Sequence, residues 1–361
     1  MDWNLKDLYS SPNSKEIESD FKKLEVRSEK FNKKYKNKIS NNCSPKLILE
    51  SIKELEKIYE GLGKISSYSS LLFAADTNNE KYAKFYQDSS EKSTNIRKNL
   101  IFYFLSWNKI SEKNAKKIYT SPVLDKYCHL LKSERRYKDF MLSEPEEKIL
   151  DKKSITSSRA FNRLFDQTLN NLEFQLTKKK KTSTLTETEV LALLYDKDRK
   201  IRVSAAKSLT QGLESERKLL TFIFNQILTD AKITNEIRGH ESPMSSRNLS
   251  NEISEKTVEA LVSTCNKYNK VPIRYYKLKS KILKIGNFSD YDRYAPFSQS
   301  TQKFTFNDAK EIVLDSFNEF SPEMGKIAKL FFDRNWIDYK LRKGKRGGAF
   351  SHSCVPSVHP Y

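Results

Sequence analysis

Apolar side chains recur at helical spacing almost from the start of the chain. Trp3, Leu5, Leu8 and Tyr9 anchor a short lead-in, and Ser11-Pro12-Asn13-Ser14 makes a turn able to cap a helix. From residue 15 to about 38 the positions Ile17, Phe21, Leu24 and Phe31 keep one helical face. Ser44-Pro45 supplies an N-cap followed by proline in the first turn, predicting a long helix to about residue 73 with the stripe Ile48, Ile52, Leu55, Ile58, Tyr59 and Leu62. A third helix is predicted from about 79 to 107, carrying Tyr82, Phe85, Tyr86, Ile96, Leu100, Tyr103 and Phe104. Residues 1–110 therefore read as a helical hairpin bundle.

Residues 111–181 read as a second helical unit. Starts are predicted at Ser111, at Ser121-Pro122, whose helix brings Leu124, Tyr127, Leu130 and Leu131 to one face, and at Ser143-Glu-Pro-Glu146, where serine caps and acids meet the positive end of the helix dipole. The last continues to Leu169, Leu172 to Leu176 alternates like a short strand, and Lys178 to Lys181 closes the unit as a solvated run. The third unit, residues 182–361, opens on the capping box Thr186-Glu-Thr-Glu189. Helices are predicted over 196–209, with Gly212 as terminator, and over 214–236, 254–269, 272–284, 307–320 and 322–336. Val258, Leu261, Val262 and Cys265 share one face, which predicts a core position for Cys265. The fold class is mainly α, ending in a small β element: Gly347-Gly348 predicts a turn, and Ala349 to Val358 alternates loosely as a strand.

Composition narrows the class. Charged residues make up 31% of the 361, but 21 Phe, 18 Tyr and 3 Trp can fill cores, so the chain reads as globular rather than disordered. No apolar run approaches the roughly 18 residues a membrane span needs, and the first residues lack a basic and then apolar leader. The cysteines at 43, 128, 265 and 354 are far apart and read as reduced thiols, and the expected location is the cytoplasm. The net charge of +20 suggests an anionic partner. Against nucleic acid, only 16 of the 66 basic residues are Arg, and no basic cluster is interleaved with aromatics.

No H-E-x-x-H, P-loop, G-x-S-x-G or paired C-x-x-C occurs. His129 falls within a helical pattern, and His240 in a loop beside Glu241, two residues that do not make a metal site. His352, Cys354 and His359 lie within eight positions, but on an extended strand 352 and 354 share a face that 359 does not, and Pro356 interrupts. No metal is therefore expected on this chain alone.

Several stretches resemble oligoendopeptidase F proteins, in the thimet-oligopeptidase-like group of zinc metallopeptidases (family M3). They are Trp3-Asn-Leu-Lys-Asp-Leu-Tyr9, Leu142-Ser-Glu-Pro-Glu-Glu-Lys148, Arg199-Lys-Ile-Arg-Val-Ser-Ala-Ala206, Arg238 with Ser242-Pro243 and Asn248, and Tyr291-Asp-Arg-Tyr-Ala-Pro296. The strongest are Phe320-Ser-Pro-Glu-Met324 and Arg342-Lys-Gly-Lys-Arg-Gly-Gly-Ala-Phe350, closing on His359-Pro-Tyr361. The resemblance implies a helical, clam-like peptidase acting on short peptides. It implies zinc held by an H-E-x-x-H helix and a further glutamate, whose positions follow the His-Pro-Tyr motif and are absent here. The expectation is an N-terminal portion of such an enzyme, from a truncated or split gene, inactive alone. It would comprise the start of the catalytic domain and expose apolar surface near residues 306–361. Alternatives are one half of a split peptidase completed by a second chain bearing H-E-x-x-H, and a non-catalytic basic scaffold binding peptide or nucleic acid. Peptide-binding roles fall on the backbone of Gly347, Gly348, Ala349 and Phe350, on Lys345 and Arg346 toward peptide carboxylates, and on His352 and His359 toward the catalytic helix.

Overall fold

The structure, a computed structural model, describes residues 3–178, 181–297 and 303–361. Its first half is organised by the helix Pro45–Ala75, which Lys15–Tyr35 and Glu80–Arg97 flank. Ser44 accepts the amide N–H of Leu47 at 3.2 Å, capping the long helix where the sequence places it. Ile48, Ile52, Ile58 and Ile65 sit on one stripe and are fully buried with Phe31, Tyr35 and Tyr103. Each such side chain contributes roughly 1.5–3 kcal/mol on leaving water.

The third expected helix is two. Glu80–Arg97 ends and Phe102–Lys109 begins after a turn. The cause is Asn99: its backbone carbonyl accepts the Asn32 side chain at 2.9 Å and its side-chain amide donates to Ser28 Oγ at 3.0 Å, so the helical ladder yields to side-chain bonds from the first helix. The helix expected over 144–169 is likewise broken into Glu144–Lys153 and Ser158–Asn171. There the hydroxyls of Ser154, Thr156 and Ser157 donate to the carbonyls of Asp151 and Lys153. Between these elements Trp107 is fully buried, its indole N–H donating to Leu131 O at 2.9 Å. The Arg135 guanidinium donates to the carbonyls of Trp107 and Ile110 and to Glu112.

A hairpin follows, Phe174–Lys178 against Lys181–Leu185, antiparallel with Phe174 opposite Leu185. Lys179 and Lys180 of the basic run lie outside the described residues. A small second core of Phe174, Leu176, Val190 and Ala205 seats the hairpin on Arg199–Ser215. Gly212 does not end that helix. A Cβ there would stand 2.4 Å from the Phe174 ring, so glycine serves close packing.

Glu187–Leu193 precedes Arg199–Ser215, and the later α-helices among the described residues are Arg217–Arg238, Ser245–Ser250, Glu255–Tyr268, Lys270–Ile282, Phe306–Phe320 and Pro322–Asp333. Cys265 is exposed, not core, because the apolar face of its helix is uncovered: Leu261 and Val262 are exposed beside it. The same holds for Ile312, Phe317, Phe320 and Ile327 farther along, within the region where exposed apolar surface is expected. The strand expected over 349–358 is not formed. Only an isolated bridge joins Val355 to Val358. Pro356 and Pro360 offer no N–H, and His352 exchanges its backbone hydrogen bonds with Tyr361 rather than with a neighbouring strand.

Candidate peptide-binding site

The C-terminal segment lies across the end of the helix Pro45–Ala75. Gly344 takes positive φ, 83°, and its carbonyl accepts both the N–H and the hydroxyl of Thr77, at 2.7 and 2.8 Å. Arg346 N donates to Ala74 O at 2.9 Å, and Arg342 Nε to Ala75 O at 3.1 Å. Carbonyls left over at a helix C-terminus are thus met by the loop. The Asp338 carboxylate stands behind it, its side chain shielded from solvent, held by both terminal guanidinium nitrogens of Arg342 at 3.0 and 2.7 Å and by the Lys345 ammonium at 3.4 Å. Lys345 Nζ also donates to the carbonyls of Asp338 and Lys340.

Beyond this anchor the backbone is bare. Gly347 N donates to Asn170 Oδ1 at 3.4 Å. From Gly348 to Ser351 no backbone N–H or C=O has a partner among the described residues. Gly348 takes φ 81°, which glycine alone adopts without strain. These residues line a cavity of about 490 Å³ closed by Trp3, Asn170, Glu187, Trp336 and Tyr361. The Trp3 ring meets Phe350 at 6.1 Å and Tyr361 at 6.2 Å, so the first residues of the chain form one wall of the site.

The proposed site residues divide. Gly347, Gly348, Ala349 and Phe350 line the cavity together. Lys345 is spoken for by Asp338, and Arg346 lies 3.8 Å from Asp166. His352 Nε2 is 3.1 Å from Ser67 Oγ, and burial pushes its pKa down. His352 and Tyr361 exchange backbone hydrogen bonds at 2.7 and 3.0 Å. His359 Nε2 is 2.9 Å from Asp7 Oδ2, its ring stacked on Trp336 at 3.3 Å. Both histidines thus bind the C-terminal segment to the N-terminal bundle. Asp338, Asn170, Thr77 and Glu187 belong to the site and escaped the sequence reading. Only the four-residue spacing of Asp338 and Arg342 hinted at the first.

Zinc does not fit the residues present. His129 pairs with Glu252, His240 with Ser245, His352 with Ser67 and His359 with Asp7. Among the described residues no group of three or more His, Cys, Asp or Glu side chains is placed to hold a metal. No helix among them is long and apolar enough to cross a membrane.

Other sequence motifs are brought together as structural ties. Arg238 grips Glu147 with two bonds of 2.8 Å and donates to Phe140 O. Arg199 and Arg202 converge on Asp292.

The family model described as Oligopeptidase F matches residues 107–174, and that described as Peptidase family M3 matches residues 192–361. Oligopeptidase PepF of Bacillus subtilis (strain 168) is 23% identical over 371 residues, taking in 99% of this chain and 53% of its own length. Group B oligopeptidase PepB of Streptococcus agalactiae serotype III (strain NEM316) is 27% identical over 311 residues, 84% of this chain and 50% of its own length. Oligoendopeptidase-F from Enterococcus faecium superposes with a TM-score of 0.70 at 19% identity, over 89% of this chain and 66% of that one. PZ peptidase A with inhibitor 2 gives 0.72 at 13% identity, over 98% and 59%. The chain spans about half the length of these curated relatives.

Proposed function

Because the chain belongs to the oligoendopeptidase F group of peptidase family M3, we propose that it forms the peptide-holding side of a zinc endopeptidase acting on short peptides. The observation that carries this reading is the unpaired backbone from Gly348 to Ser351, bordering the cavity. An extended peptide laid along it satisfies those groups as an added strand does, and the Phe350 and Trp3 rings give its side chains apolar contact. Zinc, held by groups these residues do not supply, would furnish Lewis-acid chemistry at the scissile carbonyl in a complete enzyme of this family. No H-E-x-x-H occurs in the 361 residues, and the described side chains do not fit the metal. Peptide hydrolysis by these residues alone is therefore not expected, and a polypeptide carrying the zinc-binding helix is the complement the reading calls for.

The test is fluorescence anisotropy with labelled short peptides on the wild-type chain and on Ala349→Pro, which removes one free N–H. Expected are binding by the wild type and its loss in the variant at unchanged melting temperature, since that N–H has no internal partner. Absence of binding to any peptide would overturn the reading. Chelator-sensitive cleavage of a quenched peptide by the chain alone would overturn its catalytic half.

A further inference from the structure

Among the described residues the charges bordering the cavity are compensated with one exception. Asp338 is closed off by Arg342 and Lys345, whose remaining donors reach the carbonyls of Ala75, Asp338 and Lys340. Arg346 is turned to Asp166, with its guanidinium 5.9 Å from the Phe350 ring centre. Glu187 is different. It is half-buried, and no hydrogen bond or ion pair reaches its carboxylate among the described residues. Burial pushes its pKa up with no opposing contribution, as for an acid removed from water without a cation.

Its position gives that carboxylate a use. A Cβ on Gly347 would stand 3.4 Å from Glu187 Oε2 and 3.5 Å from Thr188 Oγ1. Glu187 therefore flanks the residue immediately before the unpaired backbone run. A peptide extended along Gly348 to Ser351 passes its Gly347-proximal end beside this acid. Resting on the reading that this backbone holds peptides, we propose that Glu187 is a specificity-determining residue. It selects peptides that present a positive charge, an ammonium or guanidinium, at the end of the bound segment next to Gly347.

A cation there offsets the desolvation that Glu187 now bears alone, and charge-assisted hydrogen bonds to a half-buried carboxylate are among the stronger polar contacts. Glycine at 347 leaves the approach open, since a larger side chain would occupy the space in front of Oε2.

The experiment measures binding of an N-acetylated neutral peptide, of the same peptide with one lysine moved through each position, and of the neutral peptide with a free amino terminus. These are titrated against wild type, Glu187→Gln and Glu187→Asp. The quantity read is, within each protein, the ratio of lysine-peptide or free-amine binding to neutral-peptide binding. Lysine at one position, or the free amine, is expected to bind wild type about tenfold tighter. That gain vanishes in Glu187→Gln and survives in part in Glu187→Asp. The arm that shows the gain identifies side chain or terminus as the source of the charge. Neutral binding with no gain at any position, or a gain that persists in Glu187→Gln, overturns the assignment and leaves the peptide-holding reading standing. Failure of every peptide to bind, the neutral one included, overturns both.

Discussion

Arg202 and Asp292 lie ninety residues apart in the chain and meet at 2.8 Å with both side chains withdrawn from solvent. Arg199 adds a second guanidinium at 3.0 Å, and Ser289 N donates to the same carboxylate at 3.1 Å. The arrangement locks the aromatic turn at 291–296 onto the helix Arg199–Ser215.

Substituting Asp292→Asn leaves the buried Arg202 without its counter-ion, and stability should fall by about 3 kcal/mol. Burial alone would push the Asp292 carboxyl up, but the donors of Arg199, Arg202 and Ser289 outweigh it and hold the pKa below the usual value. A depressed folded pKa contributes stability that is present above the unfolded value, near pH 4, and is lost as pH falls through the folded one. Thermal melts from pH 7 to pH 2 should show wild type approaching the variant only at the acid end. A constant gap across that range would refute this account.

Gly212→Ala is expected to destabilise, against the helix propensity that favours alanine by about 1 kcal/mol in mid-helix. The added methyl meets the fully buried Phe174 ring at 2.4 Å and forces the hairpin off its seat, a cost of about 1–3 kcal/mol. Combining it with Phe174→Leu should recover part of the loss. A melting temperature for Gly212→Ala at or above wild type would show that the ring yields freely.

Local chemistry made much of the fold legible. Ser44, Ser143, Thr186 and Ser321 start helices because a short hydroxyl side chain followed by proline or an acid satisfies free N–H groups within a few residues. The breaks at Asn99 and Ser154–Ser157 were not legible, since Asn99 is captured by Asn32 and Ser28 from another helix and periodicity continues across both breaks. Cys265 shows the same limit in another form. Spacing identifies an apolar face, while what covers that face is not a local property. At the site, the run 344–350 stood out by its glycines. Its anchors Thr77 and Ala74 are more than 260 residues away in sequence. Glu187 reads in sequence only as the first residue after a cap, and its place opposite Gly347 follows from the fold.

Asp7→Asn tests the tie between the first residues and the C-terminal segment. The His359 ring nitrogen at 2.9 Å, aided by Arg334, holds the Asp7 carboxyl below its ordinary value despite some burial. The contact is partly exposed, so its loss should cost no more than about 1 kcal/mol near neutrality. Because the folded pKa is lowered, the contribution exists above about pH 4 and fades as pH falls through the folded value. The difference in melting temperature between wild type and Asp7→Asn should therefore close in acid. Identical melts at pH 7 would mean that the stack of His359 on Trp336 holds the segment without the carboxylate.

The helices Phe306–Phe320 and Pro322–Asp333 pack against each other and leave their outer faces uncovered. Phe320 is 80% exposed, and Ile312, Ile327 and Leu330 are exposed around it. Apolar surface of this extent binds environment-sensitive dyes and drives self-association. Phe320→Glu combined with Ile327→Lys should lower dye fluorescence and raise the concentration at which the chain stays monomeric. Each substitution replaces a side chain already in water, so stability should move by no more than about 0.5 kcal/mol. A drop in melting temperature well beyond that would mean these residues are covered in solution. Unchanged dye fluorescence with intact stability would move the exposed surface elsewhere, to Leu261, Val262, Leu278 and their neighbours, where the same pair of measurements can be repeated.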